Sequence, residues 1–184
     1  QHYPDTVNCT TTQQHGHQMP LHLAAESGSV DCIELLLEHQ ANIEAAKSDG
    51  RTPLHIAAAN GRLLAVKCLV EKGARGTATD NEDWLPLHDA CFKEHVDVAR
   101  FLLKKHPDTV NSTTSEEDDR WTPLHMAAQS GSVECIELLL ERGADMETAM
   151  SDGRTPLHIA ASYGRLLAVK YLLEKGAEGR ATDN

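Results

Sequence analysis

The chain has 184 residues, 28 of them acidic and 17 basic, for a formal net charge of −11. That balance disfavours nucleic acid or an anionic membrane as the main partner, and no stretch approaches the roughly 18 apolar residues of a membrane span. Aromatics make up only 4% of the residues, so short aliphatics and alanine are left to fill thin layers in place of one deep core.

The chain opens on residues 1–15, where Gln1–Asn8 align with Lys104–Asn111. This stretch reads as the tail of a partial unit and its finger. The first complete unit, 16–48, carries the phrase Met19–Ala25 (MPLHLAA). The second, 49–81, carries Thr52–Ala58 (TPLHIAA). There Thr52 predicts an N-cap, and Pro53 takes the first helical position, where its missing N–H costs nothing. Leu54, Ala57 and Ala58 give a short helix a narrow apolar side, and Gly61 breaks it. Leu63, Leu64, Val66, Cys68, Leu69 and Val70 predict a second helix, ended by Gly73. Neither helix can bury its apolar side alone, so stacking on the next unit has to complete the core.

The third unit, 82–118, carries Leu85–Cys91 (LPLHDAC) and four extra residues in its finger. It departs furthest, with Asp89 at an aliphatic position, Cys91 for Ala and Glu94 at the inter-helix Gly position. The units 119–151 and 152–184 follow, with Thr122–Ala128 (TPLHMAA) and Thr155–Ala161 (TPLHIAA). Met19 and Leu85 replace the capping Thr, an expected loss of about 1 kcal/mol each. Gln40 and His106 replace the Gly after the second helix, where a left-handed backbone is strained for any other residue. The polar stretches between units predict projecting hairpin fingers, with Asp49-Gly50 and Asp152-Gly153 at two tips.

The phrase histidines His22, His55, His88, His125 and His158 are spaced 33, 33, 37 and 33 apart. A longer period lies above this one. At an offset of 103, two-thirds of the 81 aligned pairs in 1–81 and 104–184 are identical, so three units were duplicated together. The phrase, its period and the closing segments Lys72-Gly73-Ala74, Arg142-Gly143-Ala144 and Lys175-Gly176-Ala177 resemble ankyrin repeats along almost the whole chain. The resemblance implies an all-α fold, a solenoid of stacked helix-turn-helix units with projecting β-hairpin fingers. It also implies that the histidines tie fingers to helices, and that a partner lies on the concave face.

On that face the implied contact positions hold Arg51, Trp84, Trp121 and Arg154 on the fingers. Asn60, Asp89, Phe92, Lys93, Gln129 and Tyr163 stand on the first helices. Trp, Tyr and Arg are the commonest interface anchors. For Trp84 and Trp121 a second reading stands beside this one, in which they lie flat over neighbouring fingers. Glu116–Asp119 reads as a solvated face or as a steering patch for a basic partner, with Ser115 as a phosphorylation candidate. His15 and His17 lack a Cys or acidic partner at metal-ligand spacing, and no cofactor, catalytic pair or phosphate loop is legible.

Five cysteines (Cys9, Cys32, Cys68, Cys91 and Cys135) show neither metal spacing nor a disulfide framework. Cys32, Cys68 and Cys135 fall in apolar helical patterns and are expected inside. The N-terminus lacks a signal peptide's basic and apolar regions. A reducing, cytoplasmic compartment follows, although the sequons Asn8-Cys9-Thr10 and Asn111-Ser112-Thr113 point the other way. The leading expectation is a non-enzymatic scaffold for a protein or peptide. The alternatives are a spacer or spring in a longer array, in a membrane-associated or cytoskeletal adaptor, and nucleotide or small-molecule sensing. The last helix pair lacks a polar outer face, so an excerpt of a longer array and end-to-end self-association are both expected.

Overall fold

The structure is a computed structural model and describes residues 7–11 and 17–178. The start of the N-terminal partial unit, His15 and residues 179–184 lie outside the described residues. Among the described residues ten α-helices run in five pairs: α1 Pro20–Ser27 and α2 Val30–Glu38, α3 Pro53–Ala59 and α4 Leu63–Glu71, α5 Pro86–Phe92 and α6 Val96–Lys105, α7 Pro123–Ser130 and α8 Val133–Glu141, α9 Pro156–Ser162 and α10 Leu166–Glu174. The first helix of each pair packs on the first helix of the next, and the second helices form a parallel row behind them. Fully buried alanines, among them Ala25, Ala57, Ala90, Ala127 and Ala160, let the first helices approach closely. One continuous apolar core runs from Leu21 to Ala177.

Every first helix starts on Pro after an extended residue, as the phrase predicts. The caps add a bond that the phrase alone does not predict. In all five units the backbone N–H of the cap residue donates to the Nδ1 of the phrase histidine, at 3.0–3.3 Å, whether that residue is Thr, Met or Leu. The Thr hydroxyl donates to the same ring nitrogen, at 2.8 Å in Thr52 and Thr122, and Thr122 Oγ1 also accepts the His125 N–H at 3.3 Å, the side-chain cap that the phrase predicts. Met19 and Leu85 keep the imidazole bond to the cap N–H but have no hydroxyl for the N3 N–H, which bonds the Met19 and Leu85 carbonyls at 2.9 Å.

With Nδ1 accepting, the proton sits on Nε2, which donates across the stack to the carbonyl of the next finger. His22 reaches Arg51, His55 reaches Trp84 and His125 reaches Arg154, at 2.9–3.2 Å. His88 takes the Ser112 carbonyl at 3.2 Å, in the longer finger that the third unit carries. These rings are structural ties on successive layers. Among the described residues no group of three His, Cys, Asp or Glu side chains is placed to hold a metal ion.

The fingers contain no β-strand among the described residues. Each closes on one backbone bond between its shoulders, such as Lys47 N–H to Arg51 O, Asp80 to Trp84 and Met150 to Arg154. Neighbouring tips are then joined by Asn81 N–H to Asp49 O and Ser151 N–H to Asp119 O. A finger of this length is a turn that can support only one rung of a ladder.

Side-chain clamps reinforce the stack. Asn8 and Asn111 each use both ends of the amide on the following unit, donating to Gln40 O and Gly143 O and accepting from Asn42 N and Asp145 N. Both are sequon asparagines, so the Nδ2 that a glycan would need is committed to a backbone carbonyl. Gln40 does adopt the left-handed backbone expected at its position, with φ 66°, and Glu94 does so at φ 63°. His106 escapes it at φ −133° by entering a short 3-10 turn at Pro107–Asn111. No described helix is long and apolar enough to cross a membrane.

Candidate interaction surface

Asn60, Lys93 and Tyr163 are the exposed residues that close α3, α5 and α9, and Gln129 lies in the last turn of α7. Trp84 is half-buried and held at its base, its N–H donating to Asp80 Oδ1 at 2.9 Å. Its ring stands edge-on to Phe92, with centroids 5.9 Å apart and planes at 83°. The Lys93 ammonium sits over the Phe92 ring, 4.9 Å from its centre. Edge-to-face rings and a cation over an aromatic face are each favourable by roughly 0.5–1.5 kcal/mol. The cluster is thus pre-ordered without being covered. Trp84 and Trp121 each lean on the phrase histidine of their own unit, at 6.4 Å from His88 and 6.1 Å from His125.

Asp89 and Arg51 have a different place from the one their residue types suggest. Asp89 is 4% exposed and accepts from Arg51 Nη2 at 2.6 Å. The corresponding positions in the other units hold Leu23, Ile56, Met126 and Ile159. The pair is monodentate, and both Asp89 Oδ2 and Arg51 Nε lack a hydrogen-bond partner. Burial pushes the Asp89 carboxyl up to about 6, against the pull of the Arg51 guanidinium. A pair this dry and incompletely bonded locks the second finger to α5 more than it stabilises the fold.

The remaining positions are spread over neighbouring layers. Asn60 is exposed and its amide donates to Ile56 O at 2.8 Å. Gln129 is half-buried, and its backbone carbonyl accepts from Arg165 Nε at 2.8 Å. Tyr163 is exposed at the end of α9, and Arg154 folds onto Asp152 of its own finger at 2.5 Å. The structure therefore brings together Trp84, Phe92 and Lys93, with the Arg51–Asp89 pair beneath. Trp121, Gln129, Arg154 and Tyr163 continue the same side on the next two layers.

The long fourth finger, between α6 and α7, is ordered by its own side chains. Thr114 Oγ1 accepts the Trp121 N–H and donates to Asp118 O, and the Ser115 hydroxyl donates to Asp118 Oδ2 at 2.9 Å. Glu116, Glu117 and Asp119 point outward and exposed. Sequence reasoning missed the Arg51–Asp89 pair, although a lone acid at an aliphatic position of the phrase was the signal for it. It also missed Phe101 on the second-helix row, which lies between the Lys67 and Lys105 ammonium groups at 6.0 and 5.8 Å.

Burial also sets the charge state of the histidines. It pushes His88 and His125 down to about 4, against the carbonyl bonds that favour the proton. It lowers His22 and His55 in the same direction. The ties are neutral imidazoles, which is the state their bonding requires.

A family model described as ankyrin repeats in three copies matches residues 3–80, 21–114 and 107–183. No curated protein matches the chain.

Proposed function

The chain belongs to the ankyrin-repeat family, whose stacks generally mediate protein–protein interaction, and from that premise we propose that it is a non-enzymatic scaffold holding a protein or peptide on the concave face of its fingers and first helices. The observation that carries this reading is the Trp84–Phe92–Lys93 cluster on the third unit. Its rings are half-buried and already oriented, so a partner's side chain can cover them at little further ordering cost. Trp121 and Tyr163 extend the surface along the stack, and the exposed acids Glu116 and Glu117 flank it. Arg51 and Asp89 act beneath the surface, fixing the second finger against α5.

The compartment we propose is a reducing one. All five thiols are free, Cys9 and Cys32 are exposed, and both sequon asparagines are engaged by the next unit.

A peptide-display selection against the wild-type chain tests the scaffold reading. Selected peptides should bind the Trp84→Ala/Phe92→Ala variant at least tenfold more weakly, while its thermal melt stays cooperative. Peptides that bind wild type and variant equally would overturn the assignment of the surface.

A further inference from the structure

The charges on the fingers are not spread evenly. The third finger, residues 78–84, carries Asp80, Glu82 and Asp83, and the fourth, residues 112–121, carries Glu116–Asp119 and Arg120. These two fingers thus hold seven carboxylates and one arginine. The second finger balances Asp49 with Lys47 and Arg51, and the fifth balances Asp152 with Arg154.

The internal duplication shows which features go together. Residues 112–121 (STTSEEDDRW) align with residues 9–18 (CTTTQQHGHQ). The first copy has no acid and ends on Gln18, whereas the second has four acids and ends on Trp121. Acids and ring are present together in one copy and absent together from the other. An acid needed only for solvation has no reason to accompany a tryptophan.

Most cations on this side are already engaged. Arg51 is bound to Asp89, Arg154 to Asp152 and Lys47 to Asp49, and the Lys93 ammonium rests over Phe92. Glu82, Glu116, Glu117 and Asp119 are exposed, and none of them is in an ion pair among the described residues. Backbone bonds join the second tip to the third and the fourth to the fifth, but among the described residues none joins the third tip to the fourth. Trp84 and Trp121 stand on the two fingers left unjoined.

We propose that the partner is a basic peptide segment, lying across the third and fourth fingers with an apolar residue against Trp84 and Phe92 and Lys or Arg side chains among Glu82, Glu116 and Glu117. It rests on the scaffold reading of this surface and adds the chemistry of the occupant. The chain already uses the required contacts internally, an ammonium over an aromatic face at Lys93–Phe92 and a guanidinium on a carboxylate at Arg51–Asp89. Both are favourable for a cation brought from outside. An acidic segment meets repulsion at the same place. Exposed acids around an aromatic centre act chiefly on the rate of association.

Peptides selected by display against the wild-type chain, then measured singly by biolayer interferometry, test this. They should carry an excess of Lys and Arg over the unselected library. Their association rate should fall roughly tenfold in Glu116→Gln/Glu117→Gln/Asp119→Asn, and again on raising salt from about 0.05 to about 0.5 M, with dissociation little changed. Glu134→Gln/Glu137→Gln/Glu141→Gln removes the same charge from exposed positions on α8 and should leave the rate within about twofold. Trp84→Ala/Phe92→Ala should instead speed dissociation. Selected peptides without a basic excess, or association rates unchanged or equally reduced in the two acid variants, would overturn the basic partner. The surface itself would still stand if Trp84→Ala/Phe92→Ala released those peptides. Peptides indifferent to the aromatic variant would overturn the surface and the basic partner together.

Discussion

Lowering the pH from 7 to 5 perturbs the stack through groups whose burial is already established. His88 and His125 titrate near 4 when folded, against a reference value of 6.5. A depressed folded value means the unfolded chain takes up protons first as the pH falls. The stability these rings contribute is therefore complete above about 6.5 and is lost progressively toward pH 4. At pH 5 each ring costs about 2 kcal/mol relative to neutral pH, and His22 and His55 act in the same direction.

Asp89 acts in the opposite sense. Its folded value of about 6 lies above the reference 3.8, so its charged form burdens the folded state above pH 6 and the burden is relieved in acid. That relief returns about 1 kcal/mol at pH 5. The net loss from the three groups is about 3 kcal/mol, a drop in melting midpoint of roughly 6–12 °C for a chain of this size. Thermal melts followed by circular dichroism at the two pH values measure it. Asp89→Asn should steepen the loss to about 4 kcal/mol, because the opposing group is gone. Equal midpoints at pH 7 and 5, or a shallower dependence in Asp89→Asn, would refute the assignment of neutral, desolvated ties.

Other expectations are local. Arg51→Met leaves Asp89 buried without a counter-charge and should cost about 3 kcal/mol at neutral pH, less at pH 5 where the carboxyl protonates; urea titrations at both pH values check it. Asp89→Ile, the residue found at this position in the second and fifth units, should cost under about 1 kcal/mol, since the part-exposed Arg51 can turn outward as Arg154 does. Glu94→Gly relieves a left-handed backbone at φ 63° and should raise stability by about 1 kcal/mol in the same titrations. Asn111→Ala removes the clamp on Gly143 O and Asp145 N and should cost about 1–2 kcal/mol, with faster amide exchange at Asp145.

The helices were legible because their signals are local. Pro after an extended residue, paired alanines and a breaking Gly recur within each phrase, and the 33-residue period shows that the units must stack. What depended on distance was hidden. Arg51 and Asp89 lie 38 residues apart and look like surface charges until stacking brings them together. Cys32 was expected inside, and its local pattern matches that of Cys135, but burial here is a property of the layer above. The Thr of the phrase was legible as an N-cap, and the geometry adds the imidazole that takes the cap residue's own backbone donor. The histidines' bridging role came with the family resemblance, whereas their neutral state came from burial. Trp84 and Phe92 were both marked as contact positions, but their mutual packing across α5 could not be read from a spacing of eight.

The scaffold account is tested most directly by amide hydrogen exchange on the chain with and without a display-selected peptide. The account predicts slowed exchange over the third finger and α5, roughly residues 80–93, and along the fourth finger and the start of α7, with the second-helix row unchanged. Protection confined to α4, α6 and α8 would contradict it, placing the partner on the opposite side from Trp84 and Phe92.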